Sequence, residues 1–132
     1  MQREGGCLCG AVRFSTQAEP LNVRNCHCRA CQKALSSPYF ARALFDQSDV
    51  TIQGTTARYL SSEAIERVFC PKCGSRLFAR RTNGTYIGIA VTAFDDRHAF
   101  APTEHIWISE KVSWLTLNDG LTQYDERSPH LP

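Results

Sequence analysis

Seven cysteines lie in three tight clusters: Cys7 and Cys9; Cys26, Cys28 and Cys31; Cys70 and Cys73. An odd count leaves at least one thiol outside any set of disulfides, and reducing compartments disfavour structural disulfides. Spacing this close points instead to thiolate ligands for metal ions. Cys70-Pro71-Lys72-Cys73-Gly74 has the form of a zinc knuckle, a tight turn whose two thiolates share one ion. A redox Cys-x-x-Cys is the alternative. That motif sits at a strand-to-helix junction, whereas strand-like sequence flanks this one on both sides. The economical partition puts Cys7, Cys9, Cys70 and Cys73 on one ion and Cys26, Cys28 and Cys31 on a second. Four thiolates close a tetrahedral, structural site; three leave a fourth position open, as catalytic zinc requires. The expected cofactor is zinc, two ions per chain. Iron also suits sulfur-rich donors, but a Cys-x-Cys partner is not the usual mate of a knuckle in mononuclear iron proteins. His27 stands between two proposed ligands of one ion. It is a possible fourth ligand, but a side chain pointing away into a supporting hydrogen bond fits the crowding better.

Composition narrows the class. With 42% hydrophobic and 21% charged residues, the 132-residue chain is neither disordered nor membrane-spanning, and its length suits one domain. Met1-Gln2-Arg3-Glu4-Gly5-Gly6 has no apolar h-region, so the expected location is cytoplasmic. The formal charge of +2 drops to −1 when seven thiolates and two divalent ions are counted, which gives no electrostatic case for a nucleic-acid partner.

Short strands with frequent turns must position these cysteines. Ala11–Ser15, Tyr39–Phe45, Val50–Gln53, Ala57–Leu60, Glu66–Phe69, Arg76–Arg81 and Tyr86–Val91 read as strands. Gly54-Thr55-Thr56 and Asn83-Gly84 look like hairpin turns. Pro20–Asn25 reads as a connector, and Cys26–Leu35 ends in one or two helical turns. His105-Ile106-Trp107-Ile108-Ser109 alternates, placing His105 and Trp107 on one face. That face either lines a site or belongs to a partly exposed edge strand, which could pair with a second chain in a homo-oligomer. The polar tail, residues 125–132, is expected to fray.

Gly5-Gly6-Cys7-Leu8-Cys9-Gly10-Ala11-Val12-Arg13-Phe14 resembles the opening motif of the glutathione-dependent formaldehyde-activating enzyme family, also called centromere-protein-V-like. Cys26-His27-Cys28-Arg29-Ala30-Cys31 and Phe69-Cys70-Pro71-Lys72-Cys73-Gly74-Ser75-Arg76-Leu77 resemble its second and third motifs. His105–Lys111, Trp114 and Asp119-Gly120-Leu121 are similar to its C-terminal segment. The resemblance implies a mainly β, single zinc-containing domain over 1–132 of the β-tent (Mss-like) type, with short antiparallel strands and little helix. It implies the same partition of cysteines. It also implies a carbon–sulfur lyase whose partners are a small-molecule thiol and aldehyde, glutathione and formaldehyde in the named reaction, with no nucleic acid or membrane. A three-thiolate zinc is a weak Lewis acid, so capture of the thiol makes better chemical sense than polarising the carbonyl.

Glutathione carries two carboxylates, so cations are needed near the site. Arg29, Lys33 and Lys111 are candidates, and His27, His105 and Trp107 join them as possible substrate contacts. The chain departs from the family pattern after Cys31: Gln32 replaces an expected basic residue, and Ala34-Leu35-Ser36-Ser37 replaces a glycine-containing stretch. Two other readings remain open. One is a non-catalytic zinc-binding interaction module; the other is a metal or thiol-redox handler.

Overall fold

The computed structural model describes residues 1–130 and 132. Its elements run β1 (Arg3–Gly6), β2 (Arg13–Thr16), β3 (Asn22–Cys26), α1 (Arg29–Leu35), β4 (Phe40–Asp46) and β5 (Val50–Gln53). They continue as β6 (Ala57–Leu60), β7 (Ile65–Phe69), β8 (Arg76–Arg81), β9 (Tyr86–Ala90), β10 (Glu104–Ile106) and β11 (Thr122–Gln123). Three strands form a small sheet in the order β1-β2-β5; eight form a large one, β11-β10-β3-β4-β9-β8-β7-β6. Pairing is antiparallel except where β10 runs parallel to β3 and β11. The mainly β class with little helix is therefore the observed one.

Strand alternation gives the large sheet two unlike faces. Val23, Ala43, Phe45, Val68, Phe78, Ile87 and Ile89 form the main core with Phe14 of the small sheet and Val12 just before it. The Phe14 ring meets Phe78 and Phe94 edge-on, at 5.4 and 5.1 Å between centroids. Each large apolar side chain buried here contributes about 1.5–3 kcal/mol. The intervening residues, among them Cys26, Arg42, Leu44, Arg67 and Arg81, face an open cleft.

Four local expectations change. Pro20–Asn25 is not a connector, because Asn22–Cys26 is β3, a central strand. Its polar residues conceal it, since Arg24 is buried by pairing with Glu104. Gly54-Thr55-Thr56 makes no hairpin, because β5 and β6 belong to different sheets. Gly54 sits at φ +97°, and a Cβ there would lie 2.1 Å from the Ala11 carbonyl oxygen. Only glycine passes this crossing. The alternating segment His105–Ser109 is strand only to Ile106: Trp107 takes a left-handed φ of 60°, and a 3-10 turn follows. β10 is not an edge strand, since β11 covers its outer side, and His105 is buried. Residue 131 of the tail lies outside the described residues; those described around it are placed against the sheet. Arg24 donates to the carbonyls of His130 and Pro132, the Trp107 N–H donates to Glu126 at 3.0 Å, and Ser128 is buried. A buried guanidinium needs acceptors, and the tail supplies them. The Asn83-Gly84 turn does join β8 to β9, with Gly84 at φ +81°.

Candidate metal centres and the adjoining cleft

The loop between β1 and β2 brings Cys7 and Cys9 to the turn between β7 and β8, which carries Cys70 and Cys73. All four sulfurs lie within 4.8 Å of one another. Cys9 Sγ is 3.6 Å from Cys7 Sγ and 3.8 Å from Cys70 Sγ. Four sulfurs each about 2.3 Å from a tetrahedral zinc stand about 3.8 Å apart, so this donor set fits the ion. Backbone N–H groups already point at the sulfurs: Val12 to Cys7 at 3.2 Å, and Lys72 and Cys73 to Cys70 at 3.4 Å. Ser75 ties the halves together, with its hydroxyl 3.2 Å from Cys73 Sγ and accepting from Leu8 N–H at 3.0 Å. That hydroxyl is the main reason the Cys73 thiol is drawn down to about 5.

The second cluster spans the junction of β3 and α1. Cys26 ends β3, Cys28 is the N-cap of α1, and Cys31 sits in its first turn. Their sulfurs also lie within 4.8 Å of one another. Cys28 Sγ accepts from the Cys31 N–H at 3.3 Å. The three thiols share protons. Cys26 and then Cys31 hydrogen-bond to Cys28 and draw it down to about 2, while the same sharing pushes Cys26 far up. Arg67 donates Nη1–H to Cys31 Sγ at 3.5 Å.

His27 faces away from the cluster, fully buried. Its Nε2 lies 2.9 Å from His105 Nδ1, and His105 Nε2 lies 2.7 Å from a carboxylate oxygen of Asp119. Tyr39 packs 5.0 Å from the His27 ring. Burial, then the neighbouring His105 and Lys111, lower His27 to about 4. Gln32, the residue that departs from the family pattern, donates to the carbonyls of His27 and Glu110, each at 2.8 Å. It fastens the cysteine loop to the segment after β10.

A cleft of about 650 Å³ opens over the large sheet. Cys26 and Cys31 line it, and the four-sulfur cluster does not. Phe40, Ile106 and Trp107 form an apolar wall; the left-handed turn at Trp107 puts that ring beside Ile106 instead of on the opposite face. Arg24, Arg42, Arg67, Arg81 and Arg127 also line the cleft. Burial is the main cause that lowers the Arg42 guanidinium from its usual range. The expected cations are elsewhere. Arg29 and Lys33 are exposed, with the Arg29 N–H on the Glu110 carboxylate. Lys111 donates to the carbonyls of Val112 and Leu115. Neither they nor His27 and His105 line the cleft. The arginines were hidden by distance along the chain. The one available signal was the single charge, Arg42, within the otherwise uncharged stretch Tyr39–Phe45.

Residues 2–110 match the family model described as glutathione-dependent formaldehyde-activating enzyme. The chain belongs to that family. An uncharacterized lyase of Schizosaccharomyces pombe is 36% identical over 81 residues, 61% of this chain and only 59% of its own length. A putative glutathione-dependent formaldehyde-activating enzyme of Halomonas elongata is 26% identical over 128 residues, covering 89% of this chain and 82% of that protein. A crystal structure of a Rhodobacter sphaeroides protein superposes with a TM-score of 0.60 at 20% identity, covering 92% of this chain and 98% of that one. That likeness supports the fold. The family model and both of these relatives carry names that denote an activity.

Proposed function

We propose that this chain forms or breaks a carbon–sulfur bond between a small thiol and an aldehyde, in the manner of an S-hydroxymethylglutathione synthase. One observation carries the reading: of the two cysteine clusters, only Cys26–Cys31 lines the cleft. Cys7, Cys9, Cys70 and Cys73 hold a structural zinc in this reading, and Cys26, Cys28 and Cys31 hold a second. A zinc ion with an open position lowers the pKa of a thiol that joins it and so supplies a thiolate at neutral pH. Arg67, bonded to Cys31, offsets the negative charge of three thiolates. Gln32, His27 and His105 hold the loop that carries the ligands. Phe40, Ile106 and Trp107 exclude water from one side. The sulfur then attacks the aldehyde carbon, and the carbonyl electron pair moves to oxygen. That oxygen takes the proton the thiol lost, giving a hydroxymethyl thioether; the reverse step releases both partners. Glutathione and formaldehyde, or a related pair, are the substrates this reading assigns. The whole chain acts as one domain, and a reducing, cytoplasmic setting suits the free thiols. Among the described residues no helix is long and apolar enough to cross a membrane.

The test follows loss of free thiol when the zinc-loaded chain meets a panel of aldehydes. Acceleration over background, lost in Cys28→Ser, is the expected result. No acceleration with any pair overturns the proposal.

A further inference from the structure

The cleft face carries a surplus of positive charge that the fold does not neutralise. Arg24 and Arg42 stand directly opposite each other on β3 and β4. Like charges in that register are destabilising. Arg24 is satisfied by Glu104 and the tail carbonyls. Arg42 has one neutral acceptor, the Asn22 side-chain oxygen at 2.7 Å. Arg67 is 9% exposed, and its Nε has no hydrogen-bond partner. Arg81 and Arg127 pair with no carboxylate among the described residues. No Asp or Glu lines the cleft among the described residues. The sheet also makes room for this arrangement. A Cβ at Gly88 would lie 2.9 Å from Arg42 Cδ, so glycine lets the arginine cross β9. The opposite face behaves differently: Glu66 on β7 pairs with both Arg58 and Arg80. Three thiolates on a divalent zinc would carry one net negative charge, which Arg67 meets at Cys31; that leaves Arg42, Arg81 and Arg127 as a surplus that an anionic ligand can balance.

We propose that the cleft selects thiols bearing two or more anionic groups and no ammonium, with Arg42, Arg67 and Arg81 as the specificity-determining residues. This rests on the thiol–aldehyde reading above and sharpens its thiol. Carboxylates find guanidinium groups without a carboxylate partner on three strands, Arg67 turning Nη1 to Cys31 and leaving Nε free. An ammonium meets a surplus of guanidinium charge, because the lining holds five arginines and no Asp or Glu side chain among the described residues. By this logic glutathione, with its free ammonium, is a poorer fit than the same peptide with that amine acylated.

Calorimetry on the zinc-loaded chain tests it with four thiols and one thiol-free anion. Mercaptosuccinate binds at least about tenfold more tightly than cysteine. N-acetylglutathione binds more tightly than glutathione, and added salt narrows the gap. Arg42→Gln and Arg81→Gln each lose about tenfold for mercaptosuccinate and also weaken succinate. Arg81 is exposed, so its variant folds even where a substitution at the more buried Arg42 or Arg67 disturbs packing. Glutathione binding as tightly as its N-acetyl form, or mercaptosuccinate indifferent to both variants, overturns the inference. The two proposals fail separately. Arginine-dependent binding of succinate and mercaptosuccinate without any thiol–aldehyde reaction supports the charge selectivity and removes the enzyme reading. Turnover of glutathione with no gain on acylation retains the enzyme reading and removes the selectivity.

Discussion

At the scale of single residues, cysteine and arginine differ in how openly they declare themselves. A metal ion fixes its ligands within a few ångströms, so two ligands from one turn must be near neighbours in sequence. Cys70 and Cys73, or Cys26, Cys28 and Cys31, are visible on that ground alone. Arg24, Arg42, Arg67 and Arg81 sit on four strands and meet only through sheet register, so no local spacing betrays them. Arg29 and Lys33 stay beside the second cluster on α1, and Lys111 lies in the segment after β10, but none of the three lines the cleft. The cysteines allow a paired experiment. Cys73→Ser lowers stability by several kcal/mol, since binding energy at a structural site is folding energy. Cys28→Ser keeps the fold and loses one equivalent of zinc by elemental analysis. Glu66 gives a pH test. Arg80, then Arg58, holds its carboxylate below the usual range, and the side chain is nearly buried. Its contribution is complete above the ordinary carboxylate value of about 4.3 and is lost as pH falls through the lowered one. Glu66→Gln costs about 1–3 kcal/mol at neutral pH, and the difference from the parent shrinks in acid, as read from urea midpoints.

At the scale of elements, a strand with polar residues on it is the hardest thing to see from sequence. β3 looks like a connector because Asn22, Arg24 and Asn25 interrupt its apolar pattern. Each is polar for a reason outside the strand, such as Glu104 across the β10 pairing or Asn22 meeting Arg42. β8 and β9 were readable because Asn83-Gly84 specifies its own hairpin. β9 also gives a clean substitution. Alanine suits a strand better than glycine, and the atom it meets at position 88 belongs to the flexible arm of Arg42. Gly88→Ala therefore leaves the melting temperature within about 4 °C. It displaces Arg42 and weakens mercaptosuccinate binding. A split between thermal melting and calorimetry is the signature.

At the scale of the whole molecule, the two clusters divide the labour. The four-sulfur centre joins the loop between β1 and β2 of the small sheet to the β7–β8 turn of the large one. With an ion bound it would staple the two sheets together, and none of its cysteines lines the cleft. The three-sulfur centre touches the cleft and has one donor fewer. A graded chelator titration, followed by a colorimetric zinc indicator, thus removes metal in two steps. The first equivalent leaves with little change in circular dichroism; the second brings unfolding. Simultaneous release would contradict the division.

Trp107 gives the molecule an optical property. The chain has two tryptophans: Trp107 in the cleft wall and Trp114, 72% exposed. Replacing Trp114 with phenylalanine leaves a single indole, a few residues of sheet from Cys26. Its emission then reads whether the cleft is wet or filled, without any attached dye. A left-handed turn that brings one ring round to the cleft thereby makes this protein its own fluorescent indicator of occupancy.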